Sequence, residues 1–157
     1  MSRLYLVLTP ASTGLASAQE TGVTKQFAGC YVLCVVSQHP AMKRDDDVLP
    51  NRFLLTSHPF PYHKDSAGQI FTARSLDPKM RWDLPLSSWT VTDDGYLQII
   101  WSTGYVGYGV KLGWSKGSYR GTAHYWTDTD PQPLDLFTTR NSTAVHVDRL
   151  ECKGSEK

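Results

Sequence analysis

Apolar residues along this chain recur with a period of two, in short runs set off by Gly, Pro, Asp and Ser. Nothing between Phe27 and Cys152 keeps them at a spacing of 3.6 over three turns, so long helices are not expected. The alternation predicts eight strands, over residues 29–37, 52–57, 69–73, 88–92, 96–101, 105–114, 118–126 and 144–151. Asp94-Gly95 joins SWTVT to YLQIIW, the strongest short hairpin signal. Ser115-Lys116-Gly117 joins the next two runs. Residues 89–126 therefore read as a four-stranded meander. Within it, Tyr108, Val110, Leu112 and Trp114 share one face, with Gly107, Gly109, Lys111 and Gly113 on the other. On the following strand Tyr119, Gly121, Ala123 and Tyr125 face one way, and Ser118, Arg120, Thr122, His124 and Trp126 the other. Small residues opposite large ones suit a curved barrel interior. The expected fold is all-β: an antiparallel up-and-down barrel of about eight strands.

The connections differ in kind. Residues 38–50 and 57–68 read as loops, 78–87 as irregular chain, and 127–143 as a long connection containing Pro131 and Pro133. Loops of that length often act as lids or binding loops. If the barrel holds a cavity, its mouth is expected beside residues 102–104 and 127–135, because tight hairpins close the other end.

The chain has 157 residues, enough for one domain that buries roughly 70% of the surface of its unfolded chain. Five Trp, eight Tyr and five Phe make it aromatic-rich. A formal net charge of +1 and the absence of a long basic run argue against nucleic acid as a partner. At the N-terminus, Arg3, the apolar stretch from Leu4 and the small-residue pattern Ala16-Ser17-Ala18 match a secretory signal peptide over 1–18. This leaves a single barrel domain over 19–157 and a secreted or periplasmic location. Phe27-Ala-Gly-Cys30 has the form of a lipobox, but Glu20, Thr21, Thr24, Lys25 and Gln26 separate it from the apolar stretch, so lipidation is not expected. No run reaches the 18 or more apolar residues of a membrane-spanning helix.

Cys30 and Cys34 lie in one predicted strand, about 13 Å apart at about 3.3 Å per residue. A disulfide needs Cα atoms within about 7 Å. The expected pair is Cys30 with Cys152, which would tie the first strand to the end of the last, neighbours in a closed barrel, leaving Cys34 as a small buried hydrophobe.

Candidate chemistry is sparse. His58 and His63 flank a proline-rigid loop with no local third ligand, so no metal is expected. Asp128, Asp130 and Asp135 lack the Gly and terminal Glu of a calcium loop. Asp45-Asp46-Asp47 reads as a solvated loop tip. Asn141-Ser-Thr143 fits a glycosylation acceptor. No acid–base or nucleophile set can be assembled, so neither an enzyme nor a cofactor is expected. The aromatics remain. Trp89, Trp101, Tyr108, Trp114, Tyr119 and Tyr125 either fill the barrel, the favoured reading, or line a cavity. A small apolar or aromatic ligand would use Trp101, Tyr108, Trp114, Tyr125 and Trp126. The alternative is a structural or interaction module with a packed core, contacting a partner through Tyr31, Trp126 and the proline loops.

Gly29-Cys30-Tyr31 resembles the G-x-W opening of lipocalin-like (calycin) barrels, with Tyr31 in place of the Trp. Arg149 resembles the basic residue that packs over that aromatic in the family, and Tyr125–Asp130 resembles its T-D-Y turn. The layout is also similar to small exported bacterial barrels of unassigned function that open with G-C-Y and close with a C-terminal Cys. The resemblance implies ligand carriage rather than catalysis.

Overall fold

Period-two alternation along the chain becomes eight antiparallel strands closed into one barrel. The computed structural model describes residues 22–37, 49–62, 69–78, 80, 84–129, 136–137 and 142–152. The expected signal peptide, the Asp45–Asp47 cluster, His63, Asp130, Asp135 and Asn141 lie outside the described residues. A six-residue helix, α1 (Gly22–Phe27), precedes the strands β1 (Gly29–Ser37), β2 (Arg52–Pro59), β3 (Phe71–Ser75) and β4 (Ser88–Val91). The strands β5 (Leu97–Ser102), β6 (Val106–Ser115), β7 (Ser118–Thr127) and β8 (Ser142–Leu150) complete the wall. Each strand pairs with the next, and β8 returns to β1, so no edge is left open.

All eight strands start within two residues of the sequence reading, and β1 matches it at both ends. The start of β3 moves from 69 to 71. The amide of Phe60 donates to the carbonyl of Ile70 at 2.9 Å, so Ile70 serves the β2–β3 turn, and a bulge between Leu55 and Pro59 shifts the register. Helix α1 was not legible in the sequence because six residues are too few to display a 3.6 period.

The interior is filled by rings and branched side chains. Tyr31, Phe53, Leu55, Trp89, Leu97, Ile99, Trp101, Tyr108, Val110, Leu112 and Val145 are all essentially inaccessible. Tyr31 stacks on Phe53 with centroids 5.5 Å apart, and Phe53 meets the edge of Trp101 at 5.4 Å. Phe71 and Trp89 lie 4.8 Å apart, and Phe27 reaches Trp89 from α1 at 6.4 Å. Such pairs each contribute roughly 0.5–1.5 kcal/mol beyond the area they bury. Ala73, Gly121 and Ala123 supply the small inward positions that let these rings fit.

The cysteines pair as expected: Cys30 and Cys152 form the disulfide, with Cα atoms 5.3 Å apart. Cys34 is a free thiol but is half-buried, not buried. It alternates with Tyr31 and Leu33, which point inward, and so lies on the outer face opposite His146.

Two further expectations are corrected. Tyr31 is wholly buried and Trp126 is 7% exposed, so neither is available to a partner. Trp126 does face outward, but it pairs with Gly107, and its ring covers the space where a Cβ at Gly107 would lie, 2.7 Å from Cζ2. Nor does the described part of the 128–141 connection cap the barrel. The backbone of Leu136 rests on the outer face of β6, where a Cβ at Gly109 would collide with its carbonyl.

Candidate functional site

The topology sorts the connections between two ends. The α1 end carries α1, residues 60–62 and 69–70, the hairpin turns around Gly95 and Gly117, and Cys152; the far end carries residues 103–105 and 128–129. At the α1 end β6 and β7 outrun their neighbours. The last β5 partner of β6 is Leu112, and the last β8 partner of β7 is Tyr119, so residues 113–118 overhang the rim. Trp114 keeps the inward face of this overhang but lies past the wall. It is 64% exposed and sets its ring against Tyr119, with centroids 4.8 Å apart and planes at 69°.

Beneath the overhang lies a cleft of about 600 Å³. Gln26 and Phe27 of α1, Val91 at the end of β4, Gly95 of the β4–β5 turn, Trp114, Gly117, Ser118 and Tyr119 of the overhang, and Val147 and Arg149 of β8 contribute to its walls. The cleft lies at the end expected to be closed by tight hairpins; most of residues 127–135, beside which the mouth is expected, lie outside the described residues. Tight hairpins do not close this end; they leave it open, because they bring little side-chain volume to the rim. At Gly95 and Gly117, both with positive φ, an added Cβ would meet nothing within 4 Å.

The floor of the cleft is built by three bonds. The guanidinium of Arg149 donates from Nη1 to the carbonyl of Gln26 at 3.1 Å and from Nη2 to that of Ala28 at 2.7 Å. The phenol of Tyr31 donates to the carbonyl of Phe27 at 2.7 Å. These are the carbonyls that a helix leaves without partners at its C-terminus. The guanidinium also lies over the Tyr31 ring, 6.0 Å from its centroid. Gly29 makes this possible: its φ is +149°, and a Cβ there would press on Arg149 Nη2 at 3.0 Å. Burial pushes the Tyr31 phenol up to about 12, against the pull of the Arg149 charge and with a smaller push from Tyr119. Burial also raises Tyr119, again opposed by Arg149.

The residues expected to bind a ligand do not form one group. Trp101 and Tyr108 are core residues, and Tyr125, 5.2 Å from Tyr108, packs against that core. Trp126 sits on the outer wall, and Trp114 alone of the five lines the cleft. Phe27, Val91, Ser118 and Val147 were missed. Tyr119 enters the sequence reading only as one ring among several, and Arg149 only through the resemblance. The signal that could have found them was the unequal length of the β6–β7 pair, which strands both ends of the hairpin beyond the wall. His58 lies on β2, and among the described residues no three His, Cys, Asp or Glu side chains converge as a metal set. A second hollow of about 380 Å³ lies beside β3, where residues 84–87 approach it. No helix among the described residues is long and apolar enough to cross a membrane. Comparison of the chain with protein-family models, curated proteins and solved structures returns no match.

Proposed function

We propose that this protein is a non-enzymatic, exported barrel that binds a small apolar or aromatic molecule in the cleft at the α1 end. The observation that carries this reading is Trp114. A tryptophan that is 64% exposed stands over an apolar cleft while the barrel interior is already filled. The core does not need its ring, and an exposed aromatic at the rim of a concavity is what a binding site presents. The closed up-and-down barrel, with Arg149 laid over Tyr31, supports a lipocalin-like reading of the fold. The Cys30–Cys152 disulfide supports an oxidising compartment.

The packed interior favours a second reading, a structural or interaction module with no ligand. Titration with 1-anilinonaphthalene-8-sulfonate, following Trp emission and probe fluorescence, separates the two. Cleft binding predicts saturable quenching that Trp114→Phe removes and Trp101→Phe leaves in place. Absence of saturable binding overturns the binding reading and leaves the module.

A further inference from the structure

Resting on the cleft as the binding site, we infer that its ligand is a small organic carboxylate with an aryl or alkyl body, the carboxylate meeting Arg149 and Ser118 and the body lying against Trp114. Three observations converge. The walls are largely apolar: Phe27, Val91 and Val147 with the faces of Trp114 and Tyr119. One full positive charge stands among them. Arg149 makes no ion pair with any described carboxylate. Its two bonds go to neutral carbonyls, so three of the five guanidinium N–H groups remain to donate.

The third observation is Ser118. It lines the same cleft at 7% exposure, and its Oγ has no hydrogen-bond partner among the described residues. A buried hydroxyl without a partner is costly, and a ligand that supplies an acceptor removes that cost. An alcohol or amide could satisfy Ser118, but only an anion also answers Arg149. Charge-assisted bonds to a guanidinium are about twice as strong as neutral ones. The orientation follows from the opposite rim. Asp93 and Asp94 occupy the β4–β5 turn, and the Thr92 hydroxyl already binds the Asp94 carboxylate. An anionic group is repelled from that side and drawn to β8, which leaves the apolar body under the overhang.

The experiment uses three probes on one skeleton: 4-phenylbutyrate, 4-phenylbutanol and 4-phenylbutylamine. Each is titrated into the disulfide-intact protein by calorimetry and Trp emission. The acid is expected to bind about tenfold or more tightly than the alcohol, and the amine most weakly. Raising the salt concentration should shrink the advantage of the acid, Arg149→Gln should abolish it, and Ser118→Ala should reduce it. If acid and alcohol bind equally while Trp114 still reports both, the carboxylate assignment is overturned and the cleft reading stands. If no probe changes Trp114 emission or gives heat, the cleft reading itself falls. If Arg149→Gln folds by circular dichroism and keeps the preference for acid, the role given to Arg149 is overturned. Should that variant not fold, the salt dependence of the wild-type acid–alcohol difference decides, and a salt-independent difference counts against the assignment.

Discussion

Tyr31 and Arg149 face each other across the β1–β8 seam and share one task, holding α1 against the barrel. A phenol is suited to that position only while neutral. It donates to the Phe27 carbonyl from a fully buried site, and burial resists the phenolate. The folded-state value of about 12 lies above the unfolded value of 10.0. Stability from Tyr31 is therefore complete below pH 10 and is lost as pH rises from about 10 to about 12. A shift of this size corresponds to roughly 3 kcal/mol. The melting temperature should accordingly fall steeply across that interval. Tyr31→Phe, less stable at neutral pH by about 1 kcal/mol for the lost bond, should show a flatter decline. Equal slopes for wild type and variant, measured by thermal circular dichroism, would remove Tyr31 from this account.

Among the elements, pairing is uneven. β6 and β7 share ten registered pairs, from Val106–Thr127 to Ser115–Ser118, whereas β3 and β4 share only Phe71–Trp89 and Thr72–Ser88. Beyond Thr72 the neighbour of β3 is a turn, reached by one bond from the Ala73 amide to the Ser87 carbonyl at 3.1 Å. Local opening follows the fewest ladder bonds and the least buried contact. Native-state hydrogen exchange should therefore show amides of β3 and β4 opening at lower free energy than those of Val110 and Leu112. Protection along β3 equal to that of central β6 would contradict this. The same unevenness makes the cleft. A β6–β7 pair longer than its neighbours must either fray or project, and ten registered pairs make it project.

At the scale of the whole molecule, the disulfide joins the start of the first strand to the chain just past the last, across a sequence separation of 122. Closing a loop that long contributes up to about 5 kcal/mol in the chain-entropy description. Cys30→Ser combined with Cys152→Ser should lower unfolding free energy by about 2–5 kcal/mol in urea titrations. Cys34→Ser, half-buried and unbonded, should change it by about 1 kcal/mol or less. A double variant as stable as wild type would mean that the barrel closes without its covalent tie.

Much of this architecture was legible in the chain itself. Strand positions follow from a period of two, which depends only on neighbouring residues, and the hairpins at Gly95 and Gly117 follow from turn chemistry that is equally local. Strand length excluded a Cys30–Cys34 bridge, and the expected closure of the barrel, which sets the start of the first strand beside the end of the last, pointed to Cys30 as the partner of Cys152. The site was not legible, and the reason is physical. Whether an inward residue ends in the core or in a cleft depends on how far each strand outruns its neighbours, and that is set by register across the sheet. Tyr108 and Trp114 share one alternating face in the sequence, yet the first is sealed inside and the second stands over an opening. Trp126 faces outward as its parity requires and is still buried, because Gly107 lets its ring lie flat on the wall. Alternation decided which way each side chain points; only closure of the barrel decided what each one meets.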